Sequence, residues 1–204
     1  MTQTLIRSIS AIITIFVLSA PPLALAQKVP TLPDTDFEVA YLAPDAASFD
    51  LTIPELRNQF NQSYKDLYLH EYKVIASQDI AAPYIRAASR INQHIYSSAV
   101  LERGSEKIKS LQITLLPTDN AQEAQENRQL MERYTIAIIH QFAPEVSLDK
   151  APELTTALNK FMANQNPTHA EEARLGGLRY ILVKSDNNVL TFAVEPIKLE
   201  QQTP

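Results

Sequence analysis

Residues 87–117, which read AASRINQHIYSSAVLERGSEKIKSLQITLLP, carry the clearest strand pattern in the chain. In their second half, Leu111, Ile113 and Leu115 alternate with polar residues, as expected of a strand with one buried face. The polar segment before it contains Gly104, one of only three glycines, and glycine tolerates the positive φ of a reversing turn. The pattern therefore predicts two long strands joined by a tight turn.

The first half of this stretch fits either a strand or a helix, because Ile91, Ile95 and Ala99 are spaced by four. Aromatic and β-branched residues among them favour a strand over 87–101. Its register depends on the loop, since a shift of one residue moves every side chain to the other face of a sheet. A three-residue loop at 104–106 places these apolar residues on the buried face of the next strand, whereas an even loop does not. We therefore predict the odd loop.

The first 26 residues have the pattern of a secretory signal peptide. Arg7 precedes a short apolar run, which is followed by a proline pair and by the A-x-A cleavage pattern of Ala24–Ala26. The run is shorter than the roughly 20 apolar residues that cross a bilayer, and no cysteine follows it to carry a lipid. We predict cleavage after Ala26, release into the periplasm and no membrane anchor.

Removal of 26 of the 204 residues leaves a mature chain long enough for one domain with a sizeable core. Residues 27–48, rich in proline and acidic residues, predict an extended, partly disordered leader, and residues 49–204 a single domain. The whole chain has 18 basic and 23 acidic residues, an acidic balance that argues against nucleic acid as a partner. Because the chain has no cysteine, disulfides, thiol chemistry and thiolate metal sites are excluded.

Capping signals mark two helices. Residues 52–55 form a capping box with a proline in the first helical turn, and the helix should end near Gln62. The segment Asp119–Gln122 opens the longest periodic run of the chain, which Ala143-Pro144 ends. A weaker pattern predicts another helix over 149–163.

Further strand signals occur at 72–76, after the first helix, and in a closing hairpin of 178–184 with 189–198, after the last. Hairpins with helices gathered between them, rather than alternating with the strands, are typical of an α+β fold. We predict a single domain with an antiparallel sheet of about five strands and helices packed on one face.

The closing hairpin has an asparagine-rich loop, and asparagine tolerates positive φ. An even loop there places Ile181 and Val183 on the core face beside Leu190, Phe192 and Val194.

Two further patterns have a structural interpretation that we prefer to a functional one. Tyr64, Tyr68 and Tyr72 recur every four residues and could form an aromatic platform for a sugar or peptide, but regular aromatic stripes usually pack in cores. Arg179 and Glu195, near the open end of the last hairpin, are expected to form an ion pair, worth under about 1 kcal/mol if exposed.

Motifs of established chemistry are missing from the sequence. It contains no phosphate-binding glycine motif, no G-x-S-x-G and no H-E-x-x-H. The four histidines are far apart, and His169 with Glu171 and Glu172 is interpreted as a solvated loop rather than an acid–base site. We therefore expect no metal or cofactor and assign no catalytic residue.

One strand face remains as a candidate binding surface. It consists of polar and aromatic residues predicted to point away from the buried positions, namely Asn92, His94, Tyr96, Gln112 and Thr114. The alternative is an ordinary solvated sheet face.

Three segments resemble one known family. They are RAASRINQHIYSSAVLERGSEKIKSLQITLLP at 86–117, LTFAVEPIKL at 190–199 and FDLTIPELRNQFN from Phe49. In this order they are similar to the YiiQ-like periplasmic proteins of Gram-negative bacteria, a domain of unknown function. The resemblance implies a periplasmic location and transfers no activity and no site residue.

Three hypotheses remain open. The first is a non-enzymatic envelope protein that binds a partner protein, peptide or cell-wall component through the candidate face. The second is a periplasmic hydrolase with a histidine and a carboxylate, around His94 or His169. The third is a small-ligand carrier with an apolar cavity between helices and sheet.

Overall fold

The structure, a computed structural model, describes residues 45–75, 81–144, 156, 160, 169–175 and 177–197. Two helices and seven strands have all or most of their residues in these ranges. They are α1 (Ile53–Ser63), β1 (Lys73–Ile75), β2 (Tyr84–Arg90), β3 (Ile95–Glu102), β4 (Ile108–Leu115), α2 (Ala121–Phe142), β5 (His169–Leu175), β6 (Leu178–Lys184) and β7 (Leu190–Pro196).

The strands form one sheet in the order β1-β2-β3-β4-β7-β6-β5, and every neighbouring pair is antiparallel. The predicted α+β fold with an antiparallel sheet is confirmed, but the count of about five strands is wrong. Residues 169–175, interpreted as a loop, form the edge strand β5. The predicted single strand over 87–101 is two strands, β2 and β3.

A tight turn at Ile91–His94 divides that stretch. The side-chain Oδ1 of Asn92 accepts hydrogen bonds from the backbone N–H groups of His94 at 2.9 Å and Ile95 at 2.7 Å. An asparagine that bonds the backbone two and three residues ahead reverses the chain as a backbone turn does. The prediction of strand rather than helix was therefore right, but the reversal of the chain at residues 91–94 was not predicted.

The apolar residues of β3 and β4 lie on one face as predicted, but a bulge rather than a three-residue loop is the cause. Ile95 lies opposite Leu115, so the apolar sets share a face as expected. The loop Arg103–Glu106 has four residues, closed by a hydrogen bond from the N–H of Glu102. A bulge next to Val100 inserts one extra residue in β4 and restores the odd register.

The β6–β7 register contradicts the prediction. The loop has five residues, with the N–H of Ser185 donating to the carbonyl of Val189 at 3.0 Å and Asn188 at a φ of 61°. Leu182 therefore lies opposite Phe192, and Ile181 and Val183 point to the other face. The loop has an odd number of residues where an even number was predicted, so the side chains of β6 lie on the opposite faces from those predicted.

The core lies between the helices and one face of the sheet, which we call the helix face. The backbone N–H of Thr52 donates to the Glu55 carboxylate at 2.8 Å, as in a capping box, and the Thr52 hydroxyl donates to the same carboxylate at 2.7 Å. The N-cap of α2 is Asn120 rather than Asp119. The main core side chains are Leu56, Phe60, Met131, Tyr134 and Ile138 from the helices and Ile95, Leu111, Ile113, Phe192 and Val194 from the sheet.

Several predictions fall outside the described residues. They are the signal peptide, most of the 27–48 leader and nearly all of the 149–163 helix, of which Thr156 and Lys160 are described and helical. None of the helices in the described part of the chain has the length and hydropathy of a membrane-spanning segment.

Candidate functional site

The five residues of the candidate face do not share one face. Asn92 and His94 lie in the β2–β3 turn, and their side chains bond to α2 on the helix face. Tyr96, Gln112 and Thr114 point to the opposite face of the sheet, which we call the far face. The unpredicted turn causes this separation, because it takes residues 91–94 out of the alternation of the strand.

Tyr96, Gln112 and Thr114 form part of a polar row across the far face. Tyr96 lies directly opposite Thr114, and residues directly opposite in an antiparallel pair point to the same side. The hydroxyl of Thr114 lies 3.3 Å from that of Thr191 on β7, and the hydroxyl of Ser98 lies 3.4 Å from Oε1 of Gln112. All five side chains are half-buried, so they combine defined positions with access for a ligand.

A group of cations borders this row. Lys73, Arg86 and Arg90 are exposed, and the register places all three on the far face. The Arg86 guanidinium carbon lies 5.6 Å from the ring centroid of Tyr84, a cation–π distance. In the described strands β1 to β3, Glu102 is the one acidic residue on this face. We call these cations with Tyr84 and Tyr96 the basic–aromatic patch.

The basic–aromatic patch was missed at the sequence level although a signal existed. In β2, Tyr84, Arg86 and Arg90 alternate with the more buried Ala87 and Ser89. That alternation could be recognised only after residues 84–90 were separated from the next strand.

The far face also contains the predicted ion pair, which is buried. Nη2 of Arg179 lies 2.6 Å from Oε2 of Glu195, and the two side chains are 9% and 3% exposed. The hydroxyl of Ser110 donates to the other carboxylate oxygen at 3.3 Å, and Glu172 approaches Arg179 to 3.7 Å. Burial raises the pKa of Glu195, and the hydrogen bonds and charge of Arg179 partly oppose that rise.

His94 contacts a carboxylate in the first turn of α2. Its Nε2 lies 3.2 Å from Oε1 of Glu123, whose other oxygen accepts a hydrogen bond from the Thr118 hydroxyl at 2.8 Å. Asn92 donates to Asn127 at 2.8 Å beside this pair. A carboxylate in the first turn of a helix is favoured by the helix dipole. Glu123 was not predicted because it lies 29 positions after His94 in the chain.

The other histidines have different environments. Nδ1 of His140 lies 2.8 Å from the hydroxyl of Tyr64, and the His70 ring meets Tyr68 edge-on at 4.9 Å. Neighbouring strand residues point to opposite faces, so β5 places Glu171 and Glu172 on opposite faces of the sheet. No group of three or more metal-ligating side chains occurs within the described ranges.

The three tyrosines of the possible platform do not act as one surface. Tyr64 and Tyr72 pack partly against the core, whereas Tyr68 is 52% exposed. The Tyr72 hydroxyl hydrogen-bonds the Ser97 hydroxyl, and burial raises the pKa of Tyr72. The preferred interpretation, packing, is right for Tyr64 and Tyr72.

Comparison with known proteins identifies relatives without assigning chemistry. Residues 11–202 match the family described as "Protein of unknown function (DUF1454)". The chain is 37% identical over 167 residues to "Uncharacterized protein YiiQ" of Escherichia coli (strain K12), a match that covers 82% of each chain. No solved structure matches significantly. The resemblance to YiiQ-like proteins is thus confirmed, and the chain belongs to the DUF1454 family of proteins of unknown function.

Proposed function

We propose that this protein is an exported, non-enzymatic binding protein of the cell envelope, and that its far face binds an acidic segment of a partner protein. The observation that carries the proposal is the basic–aromatic patch, in which the exposed cations Lys73, Arg86 and Arg90 lie beside Tyr84 and Tyr96.

The charge of the patch is opposite to that of the protein. The chain has a formal net charge of −5, whereas three exposed cations and one acid occupy this part of the far face. Complementary charge steers association and disfavours partners of the wrong sign. An acidic partner segment would therefore be guided to this face rather than to the rest of the surface.

The residue types also suit protein recognition. Tyrosine and arginine are enriched in the centres of protein interfaces, where they combine apolar area with hydrogen bonding. Next to the patch, Gln112, Thr114 and Thr191 offer amide and hydroxyl groups to a polar backbone. This arrangement supports an extended segment lying across β2, β3 and β4.

Export is the cellular part of the proposal, and it rests on the signal-peptide pattern of residues 1–26. N-terminal sequencing of protein released by osmotic shock tests it directly. We expect the mature chain to begin at Gln27. Retention of the protein in the cytoplasm with Met1 intact would refute export and leave the binding face as a separate question.

The binding face is tested by site-specific crosslinking in intact cells. A photo-reactive phenylalanine derivative replaces Tyr96 in the patch or, as a control, the exposed Tyr68. Mass spectrometry then identifies the peptide attached to each position. We expect a reproducible peptide with an excess of Asp and Glu at position 96 and none at position 68.

Charge reversal distinguishes the patch from general electrostatics. The double variant Arg86→Glu/Arg90→Glu should abolish the crosslink at position 96. The matched variant Lys65→Glu/Arg133→Glu changes the net charge equally at exposed positions outside the far face and should preserve it. A neutral or basic peptide, a nucleic acid or lipid adduct, or equal loss in both variants would reject the proposal.

One observation favours a hydrolase as the second candidate. His94 and Glu123 lie 3.2 Å apart, and Thr118 bonds to the same carboxylate, which is the contact that histidine-assisted activation of water requires. Purified protein would be assayed with ester, amide and phosphate-ester substrates. Activity that disappears in His94→Asn and persists in His70→Asn would support it, and no turnover by the wild type would reject it.

A further inference from the structure

A cavity of about 280 Å³ lies on the helix face, away from the basic–aromatic patch. The segment Leu115–Thr118 at the end of β4 forms one wall, and Ala124 and Arg128, one turn apart on α2, form the second. The third wall comes from the loop end of the β6–β7 hairpin. Its size is near the lower limit of ligand pockets, which run from about 300 to 1,000 Å³.

The cavity has an apolar floor and a cationic rim. Leu115 and Leu190 are 6% and 7% exposed and belong to the core, whereas Arg128 and Asn188 are exposed. Lys184, which also lines the cavity, is half-buried and adds a second positive charge. A site with this division favours a ligand that is apolar at one end and anionic at the other.

No acidic residue is among the described residues that line the cavity. On α2, Glu126 and Glu132 lie two and four residues from Arg128 and do not line the cavity, and Glu123 has its two oxygens engaged by His94 and Thr118. The positive charge of the rim is therefore not neutralised by a lining carboxylate.

Arg128 is the group best suited to hold an anion. Within the part of the chain that the structure describes, its guanidinium has no hydrogen bond or ion pair, and the side-chain amide of Asn188 has none either. A guanidinium can donate two parallel hydrogen bonds to one carboxylate. Lys184 takes part in another interaction, so we assign it a supporting charge rather than a free donor.

We propose that this cavity binds a small amphipathic carboxylate, with its head group at Arg128 and Asn188 and its short alkyl chain on Leu115 and Leu190. This inference is independent of the partner-binding face, because it uses the other side of the sheet and no residue of the basic–aromatic patch.

The test is calorimetric titration of the purified protein, expressed as the full chain, with three matched probes. Octanoate has both the head group and the chain, octylamine has the chain with the opposite charge, and acetate has the head group alone. We expect measurable binding of octanoate and at least about tenfold weaker binding of the other two, since a charged hydrogen bond and the buried alkyl chain each contribute that much.

Three variants locate the site. Arg128→Gln should weaken octanoate binding about tenfold or more by removing the charged donor. Ala124→Phe should block the cavity, and Arg133→Gln, an exposed position on the same helix, should leave affinity unchanged. Each variant is first checked for folding by its thermal transition.

The outcomes are decisive in either direction. The proposal is overturned if folded wild-type protein does not bind octanoate, if octylamine or acetate binds equally well, or if Arg128→Gln and Arg133→Gln behave alike. The same titrations with octyl phosphate show whether the rim prefers a carboxylate. Tighter binding of the phosphate by tenfold would overturn the assignment of the head group.

Discussion

The two ends of the β6–β7 hairpin use charged residues in opposite ways. At the open end, Arg179 and Glu195 are nearly inaccessible and bond each other at 2.6 Å. At the loop end, Lys184 and Asn188 border a cavity together with Arg128, whose guanidinium is exposed. The first arrangement satisfies its charges within the protein, and in the second the side chains of Arg128 and Asn188 can donate to a ligand.

The difference follows from the cost of burying charge. An ion removed from water loses several kcal/mol of hydration, so a buried charge persists only with a close partner and further hydrogen bonds. Glu195 has both, from Arg179 and Ser110. A charge at a rim keeps its hydration and needs no partner. Stability should therefore depend on the open end, and ligand binding on the loop end.

The largest expected effect is at the open end. Glu195→Ala removes the closer carboxylate partner of a buried guanidinium, which keeps only a 3.7 Å contact to the carboxylate of Glu172, and should lower the free energy of unfolding by about 3–5 kcal/mol. Urea denaturation followed by circular dichroism measures the change. A loss below about 1 kcal/mol would show that this end is not the more sensitive one.

The control replaces both charged residues. Arg179→Met/Glu195→Leu leaves no unpaired buried charge, so it should recover most of the loss caused by Glu195→Ala. If the double variant is as unstable as the single one, the lost stability comes from packing rather than from charge.

A smaller effect is expected in the loop. Asn188 has a φ of 61°, which a residue with a β-carbon adopts at a cost unless it is asparagine or aspartate. Asn188→Ala should destabilise by about 1 kcal/mol, and Asn188→Gly by only a few tenths. Both variants are measured by the same urea titration. A larger loss in Asn188→Ala than in Asn188→Gly indicates backbone strain, whereas equal losses in the two variants would indicate that the asparagine side chain itself is stabilising.

A third prediction concerns how the free energy of unfolding of wild type and of Glu195→Gln changes with pH. Because burial raises the folded-state pKa of Glu195 above its ordinary value of 4.5, the folded protein binds this proton more tightly than the unfolded chain. Relative to the variant, wild type should gain stability as pH falls through the raised pKa and lose it again as pH rises. A difference that is flat with pH, or of opposite sign, would show that Arg179 outweighs burial.

The smallest effect is expected at the cavity rim. Arg128→Gln removes an exposed guanidinium and should change the free energy of unfolding by no more than about 0.5 kcal/mol. Combined with the expected loss of octanoate binding, this result would show that the loop end of the hairpin serves ligand binding and the open end serves stability. A large loss of stability would place Arg128 in the fold instead.

Local sequence patterns predicted the elements whose causes are local. The Thr52–Glu55 capping box begins α1 and the alternation of Leu111, Ile113 and Leu115 marks a strand, because both depend on residues a few positions apart. The Asn92 turn was missed, since asparagine also occurs in strands and only its two backbone bonds reveal the reversal. Because the turn was missed, Asn92 and His94 were predicted to share a face with the other three candidate residues, which they do not.

By itself, the sequence determined the antiparallel α+β class and the cysteine-free chemistry, since these depend on composition and local periodicity, and the family resemblance, which rests on the similarity of particular segments. Tertiary structure alone decided the faces of β6, the His94–Glu123 contact and the cationic rim of the cavity. Each brings together residues distant in the chain or depends on one loop residue. Because side chains alternate between the two faces of a strand, one extra loop residue moves the side chains of that strand from one face of the sheet to the other.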